Sequence, residues 1–465
     1  MLYTNNQMSG FAAKGLLISA LMFWLYRNNL NPLNNVLLFL LVIWIISGLL
    51  MRTNLFTKNE SHRFRRAKTV AFVMGVLTML LLVSTVFVLN FVDEIGADPQ
   101  EYNSPHYHDE SFHNLNESSP ENDNFFETLQ DYLVFDRTRT PDSVLPTEKF
   151  EIQNHVEDEV SITWFGHSTI LIQSREYNIL IDPLFGDEGT GPLFLGPAPF
   201  DYENTYEIKD LPSIDIVLIS HDHYDHLDMK TVIEFEGSTF LTPLGVKPHL
   251  ELWGIPSVDI MEFDWYGGTN ISDELQIILT PSQHFSGRTL SRDPTLWGSW
   301  VIDIYDTAIF FGGDGGYSAE FTTIGDLYGP FDIAILEAGQ YNEAWSNIHM
   351  FPKEVIQASI DLNSSVVMPI HNSKYELALH PWDEPLIEVT AEGMRRNHSV
   401  ATPMIGQSFV VGLDVPNYHW WMDVEPGDEP FLKSNYFMGL YIPIAIIIAI
   451  VLVRHGNVSS GSEEE

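Results

Sequence analysis

The sequence predicts a layered α/β domain set between apolar terminal segments. Three observations predict it. Short apolar runs recur between about residues 160 and 370, a minority of helical patterns alternates with them, and four of the runs end in histidine or aspartate. Runs of this kind form buried strands, so the expected core is two sheets or one large mixed sheet, with ligand-bearing loops at the strand ends.

At 465 residues the chain is long enough for one large domain with appendages, or for two domains. Its net charge of −40 is unevenly spread: residues 1–93 carry 8 Lys and Arg against 2 Asp and Glu, and residues 94–432 carry 13 against 58. A middle region this acidic favours solubility and argues against a nucleic-acid partner, because binding to phosphate backbones rests on Lys and Arg. There is no cysteine, which excludes disulfides and leaves the redox compartment open.

Taken in order, residues 1–93 hold three apolar segments near the length a bilayer-crossing helix needs, at about 8–26, 36–51 and 69–92. A cleaved signal peptide or buried soluble helices are the alternatives; the number of segments and their all-round apolarity speak against both. The loop bearing Arg52, Lys58, Arg63, Arg65, Arg66 and Lys68 is expected in the cytoplasm by the positive-inside rule, and a fourth span, at about 436–453 within residues 431–465, returns the chain. The expectation is a multi-pass cell-membrane protein, integral in the membrane, with its catalytic domain on the extracytoplasmic side. Residues 94–150, acidic and rich in Asn, Ser, Pro and His, read as a linker and N-terminal extension, and His106, His108 and His113 as its solvated histidines.

The regular domain is expected over 151–430. Strands are predicted at 161–172, 178–182, 214–219, 275–280, 299–304, 308–312, 332–336 and 366–370, and helices near 228–235, 246–253 and 352–362. The strand at 214–219 opens onto Ser220-His221-Asp222-His223-Tyr224-Asp225-His226-Leu227-Asp228. Three imidazoles and two carboxylates within six residues suit zinc, or iron or manganese, in an open site rather than a thiolate-rich structural one. His284, Asp314 and His371 each close a later apolar run, so seven ligand-type residues arrive from four loops.

With Pro281-Ser282-Gln283-His284-Phe285-Ser286-Gly287-Arg288, Leu296-Trp297-Gly298-Ser299-Trp300, Phe311-Gly312-Gly313-Asp314, His349-Met350-Phe351-Pro352 and Pro369-Ile370-His371 added, the chain resembles the metallo-β-lactamase-fold hydrolases over about 105–415. Among them it most resembles the N-acylphosphatidylethanolamine-hydrolysing phospholipase D group. The resemblance implies an αββα four-layer sandwich and two zinc ions. His221, His223 and His284 are expected to hold one, and Asp225, His226 and His371 the other. Asp314 is expected to bridge them, so that Asp225 and Asp314 are the catalytic carboxylates. Two such ions share a hydroxide and stabilise the entering and leaving oxygens of a displacement at phosphorus. Asp182 matches a position that supports the histidine loop, the alternative being a plain Asp-Pro turn. His349 and Arg288 are candidates for substrate phosphate, each with a structural alternative, and His167 and His380 are read as structural. Asp222 departs from the small polar residue expected there; it either raises ligand basicity or faces solvent.

The expected activity is a phospholipase D-type reaction on a membrane lipid substrate, N-acylphosphatidylethanolamine or a relative. Hydrolysis of a soluble ester, lactone or nucleotide is the enzymatic alternative, and a membrane sensor or assembly factor on the same fold the non-enzymatic one. Oligomeric state is not legible from the sequence.

Overall fold

The computed structural model describes residues 92–97, 100–115, 136–186, 190–191, 196–289 and 291–424. The chain divides into two units, Met1–Ile95 and Gly96–Glu465. Of the first, the described part is a single 3₁₀ turn, Asp93–Ile95.

The second unit is built on two seven-stranded sheets. The first runs in the order Ser408–Val410 (β16), Ser161–Trp164 (β3), Ile170–Gln173 (β4), Asn178–Ile181 (β5), Ile216–Leu218 (β6), Thr239–Pro243 (β7) and Ile260–Phe263 (β8). The second runs Ser399–Val400 (β15), Val366–Ile370 (β14), Ile333–Glu337 (β13), Thr307–Phe311 (β12), Ser299–Ile304 (β11), Leu275–Thr280 (β10) and Gly268–Ser272 (β9). A small hairpin, Tyr107–His108 (β1) with Ser111–Phe112 (β2), precedes both.

Alternation along the strands explains why the sheets stack and why both carry helices. In β4 to β6, Ile170, Ile172, Ile179, Ile181, Ile216 and Leu218 point into the core between the sheets. Their neighbours Leu171, Leu180 and Val217 pack outward with Val232 and Leu250 of the helices Met229–Val232 (α1) and Lys247–Leu252 (α2). In the second sheet Ile309, Phe311, Ile333, Ile335, Met368 and Ile370 face inward. Phe310, Ala334, Leu336 and Val367 face the helices Glu320–Tyr328 (α3), Pro352–Asp361 (α4) and Glu384–Arg396 (α5). Strands buried on both faces read as continuous apolar runs, and the result is the expected αββα order of layers.

The predicted strand over 161–172 is instead a pair, β3 and β4, because Gly166 and His167 adopt φ of +82° and +53° and turn the chain between them. Residues 96–97, 100–115 and 136–150, read from the sequence as part of a linker and N-terminal extension, pack onto the domain and give Phe112 and Leu145 to the central core. That these two residues join the core is not legible in the sequence, because they stand in a polar surround with no periodicity.

The multi-pass membrane localisation expected from the sequence is corrected: among the described residues no helix is long and apolar enough to cross a membrane. The longest of them, α5, has 13 residues. At about 1.5 Å per residue it reaches about 20 Å, short of a hydrocarbon core of about 30 Å. The four predicted spans fall outside the described residues apart from Val92.

Candidate metal centre

All the ligand-bearing strands point the same way. In the first sheet β3 is antiparallel to β4 and β4 to β5, while β5 and β6 are parallel, so β3, β5 and β6 finish at one edge. By the same reasoning β10, β12, β13 and β14 finish together in the second sheet. Beyond these ends lie His167, Asp182, His221, His284, Asp314 and His371, and Glu337 closes β13. Residues far apart in sequence therefore meet because strand direction brings them to one rim.

Four overlapping groups of ligand-type atoms form there, with separations within 4.8 Å inside each: His221, His223 and His284; His167, Asp225, His226 and His371; His221, His226 and Asp314; Asp314, His349 and His371. Asp314 lies between the sides. Its Oδ1 is 3.2 Å from His226 Nε2, and its Oδ2 is 3.0 Å from His371 Nε2, 3.8 Å from His284 Nε2 and 4.0 Å from His221 Nε2. His223 Nδ1 faces His221 Nε2 at 2.8 Å and His284 Nε2 at 3.4 Å.

Proton placement can be read from the partners behind these rings. Asp182, fully buried, accepts Ser220 N–H at 2.7 Å and Ser220 Oγ–H at 2.6 Å, and takes His226 Nδ1 at 2.8 Å. Having given its proton to Asp182, the Ser220 oxygen accepts from His221 Nδ1 at 2.9 Å. His284 Nδ1 meets the Ile348 carbonyl at 3.2 Å. His221 and His284 thus carry hydrogen on Nδ1 and turn a bare Nε2 to the centre, while His226 carries hydrogen on Nδ1 and turns Nε2 toward Asp314. Burial pushes the Asp182 carboxyl pKa up, partly offset by the bonds from His226 and Ser220.

This donor set fits a divalent cation. His226 Nε2, His371 Nε2 and Asp314 Oδ1 are buried and have no hydrogen-bond partner, although they crowd together. Buried lone pairs that face one another need a cation or protons between them. Burial works against charge on His371, yet Asp314 and Asp225 lift its pKa to about 9. Burial likewise opposes charge on His226, and Asp314 and Asp225 raise its pKa well above the usual imidazole value. Protons fill part of the gap that a metal ion would fill.

Backbone shape serves the same rim. Asp182, His167 and His371 all have positive φ, at +42°, +53° and +65°, a conformation that costs free energy for non-glycine residues and is concentrated at functional sites. The last two lock together: His371 N–H donates to His167 O at 2.9 Å, and His167 N–H to Asn372 O at 3.1 Å. Gly339 passes so close that a Cβ there would stand 1.6 Å from His371 O, so only glycine fits.

The predicted residues fare differently. His221, His223, Asp225, His226, His284, Asp314 and His371 come together, Asp182 stands behind His226, and His349 joins the group beside Asp314 and His371, its Nδ1 3.4 Å from Glu337 Oε2. Arg288 does not face the centre. It is buried behind the histidine loop, donating to Asp222 O at 2.7 Å and Leu227 O at 2.8 Å, with its guanidinium 4.0 Å above the Tyr224 ring. Asp222 is buried rather than solvated, accepting Gly287 N–H at 2.7 Å and lying 3.5 Å from His249 Nε2. His380 stacks on Tyr341 and meets Gly339 O at 2.9 Å. His167, read as structural, stands in the cluster, its Nε2 3.1 Å from Asp225 Oδ2, and burial with His371 nearby drops its pKa to about 3. The signal was there: like the ligands, it follows an apolar run.

Comparison with known proteins gives a family match and relatives. A family model described as a beta-lactamase superfamily domain matches residues 177–372. An uncharacterized protein of Mycobacterium tuberculosis is 37% identical over 332 residues, 68% of this chain and 87% of the relative. An N-acyl-phosphatidylethanolamine-hydrolyzing phospholipase D of Caenorhabditis elegans is 29% identical over 266 residues, 54% of this chain and 74% of its own length. Among solved structures, a metallo hydrolase of Ignicoccus hospitalis aligns at 25% identity with a TM-score of 0.42, over 55% of this chain and 100% of the other.

Proposed function

Because this chain belongs to the metallo-β-lactamase superfamily and is a metal-dependent hydrolase of that fold, we propose that it holds two divalent ions and cleaves a phosphodiester. The expected ions are zinc, with iron or manganese as substitutes, and the expected substrate is N-acylphosphatidylethanolamine or a related phospholipid. The observation that carries the reading is the set of buried, unpartnered ligand atoms gathered around Asp314. The likeness to the nematode phospholipase D directs it to phospholipid.

In this reading His221, His223 and His284 hold one ion, Asp225, His226 and His371 the other, and Asp314 lies between. When bound, the ions supply an activated water and positive charge for the phosphate oxygens. The chain does the rest. Asp182, through His226 directly and through Ser220 to His221, keeps hydrogen on Nδ1 and lone pairs on Nε2. His167 donates from Nε2 to Asp225 and so orients that carboxylate. His349, held at Nδ1 by Glu337 and stacked at 5.6 Å on His371, would donate Nε2–H to a phosphate oxygen as an imidazolium, with Nδ1–H on Glu337. Water oxygen adds to phosphorus while the bond to the head-group oxygen breaks. One water proton ends on the released alcohol and the other on the phosphatidic acid.

The test is product analysis. Protein loaded with zinc, iron or manganese is given N-acylphosphatidylethanolamine, ordinary phospholipids and a panel of soluble esters and lactones. Phosphatidic acid should appear from the first, and His223→Ala should abolish it. No release by any metal form, or equal release by the variant, overturns the proposal, and turnover of soluble substrates alone would move the site to ester hydrolysis.

A further inference from the structure

His284 stands just past the end of β10, where the ladder with β11 stops at Thr280 and Ser299. Its backbone therefore lies beyond the regular pairing that would satisfy its N–H and C=O. A side chain from far upstream supplies both partners. Asn114 Nδ2 donates to His284 O at 2.8 Å, and His284 N–H donates to Asn114 Oδ1 at 3.2 Å. Trp297 Nε1 also donates to that Oδ1, at 3.3 Å, which fixes the amide's orientation: reversed, it would set N–H against N–H twice. A short carboxamide is suited to this place because it presents donor and acceptor side by side, as a neighbouring strand would.

Asn114 is brought there by a packed arm. Phe112, 1% exposed, sits in the central core with Tyr102 and Tyr107 packed against it, their ring centroids 5.5 and 4.9 Å away. Phe112 N–H donates to Asp293 O at 2.9 Å, and Asp293 accepts Ser286 N–H at 3.1 Å, so the arm grips the loop that carries His284. A second grip lies nearer its start, where Ala97 N–H donates to His249 Nδ1 at 2.8 Å and His249 Nε2 faces Asp222, between His221 and His223. All of these arm residues lie outside the 177–372 stretch matched by the family model.

We infer that Asn114 is a positioning residue for the metal position formed by His221, His223 and His284, so that this position is complete only with the arm in place. Asn114 touches no ligand atom; it fixes the peptide from which the His284 ring projects, while Ile348 O fixes the ring itself. The inference rests on the dinuclear reading above.

The experiment uses the full chain and measures zinc and cobalt affinity, metal retained after dialysis against a weak chelator, the Co(II) absorption spectrum, and the melting temperature of the metal-free form. Outer partners of metal ligands typically control about 10–100-fold in affinity. Asn114→Ala should lose that much at one position, retain about one equivalent where wild type keeps about two, and regain hydrolysis as free metal is raised. Asn114→Asp keeps the acceptor for His284 N–H but opposes its carbonyl, and should fall between; it carries the test if the alanine variant does not fold. Wild-type affinity, stoichiometry and spectrum in the folded variants, or a loss of hydrolysis that added metal does not restore, overturns the inference. A wild type that binds no metal overturns the dinuclear reading instead.

Discussion

At the residue scale the centre is governed by where protons sit. In the metal-free protein His371 has its pKa raised to about 9 and His226 is raised as well, both chiefly because Asp314 and Asp225 outweigh their burial. At neutral pH the His371 ring is therefore charged, and a metal ion must displace its proton to bind there. The sign follows: as pH falls below about 9 the displacement costs more, and as pH rises toward 9 that cost disappears. Binding of zinc near pH 7 should release at least one proton, that of His371, read by calorimetry in buffers of different ionisation enthalpy. The gain in melting temperature on adding metal should grow from pH 6 to pH 9. A gain independent of pH, with no proton release, would mean that these rings do not take the metal. Legibility at this scale followed chemistry. The three histidines crowded after one strand are visible to any reader of the sequence, and His284, Asp314 and His371 are visible because each ends an apolar run. Arg288 misled because a cation near a phosphate site suggests an anion partner, whereas its guanidinium is consumed by the carbonyls of Asp222 and Leu227.

Among the elements, the strands over 275–280, 299–304 and 366–370 coincide with their predicted limits because they are largely apolar on both faces. β9, with the sequence Gly-Thr-Asn-Ile-Ser, has no such pattern and exists because Gln276, Ile277 and Ile278 pair with it. α5 was missed as well: Pro385 in its first turn and Gly393 within it are weak local signals, and packing of Leu386 and Val389 decides the matter. The histidine loop runs directly into α1, whose N-cap Asp228 accepts Thr231 N–H at 2.8 Å and Thr231 Oγ–H at 2.7 Å. Asp228→Ala should cost about 1 kcal/mol of stability. Metal stoichiometry should stay unchanged, because the cap lies beyond Arg288's bonds to the loop; chemical denaturation and metal analysis of the same preparation check both parts.

For the whole molecule the governing quantity is charge. Residues 94–432 carry 58 acidic side chains against 13 basic ones, and N-acylphosphatidylethanolamine, the substrate proposed above, is itself anionic, so on that proposal protein and lipid surface would repel. The Debye length shrinks from about 30 Å at 0.01 M salt to about 3 Å at 1 M. Hydrolysis of anionic vesicles should therefore speed up with ionic strength, through KM rather than kcat, the reverse of a basic lipid-binding enzyme. A flat or falling salt profile would show that lipid reaches the centre by another means. The architecture was partly legible: apolar runs gave a layered α/β domain with two sheets or one mixed sheet, and the αββα order followed from the resemblance to the metallo-β-lactamase-fold hydrolases. The packed arm was not, because one phenylalanine and one asparagine carry it.

The central claim is that seven residues from four loops hold two metal ions. Elemental analysis of the gently purified protein, side by side with His284→Ala and His371→Ala, tests it most directly. The account predicts about two divalent ions per wild-type chain and about one in each variant. A wild type with fewer than one ion, or variants that keep both, would contradict it.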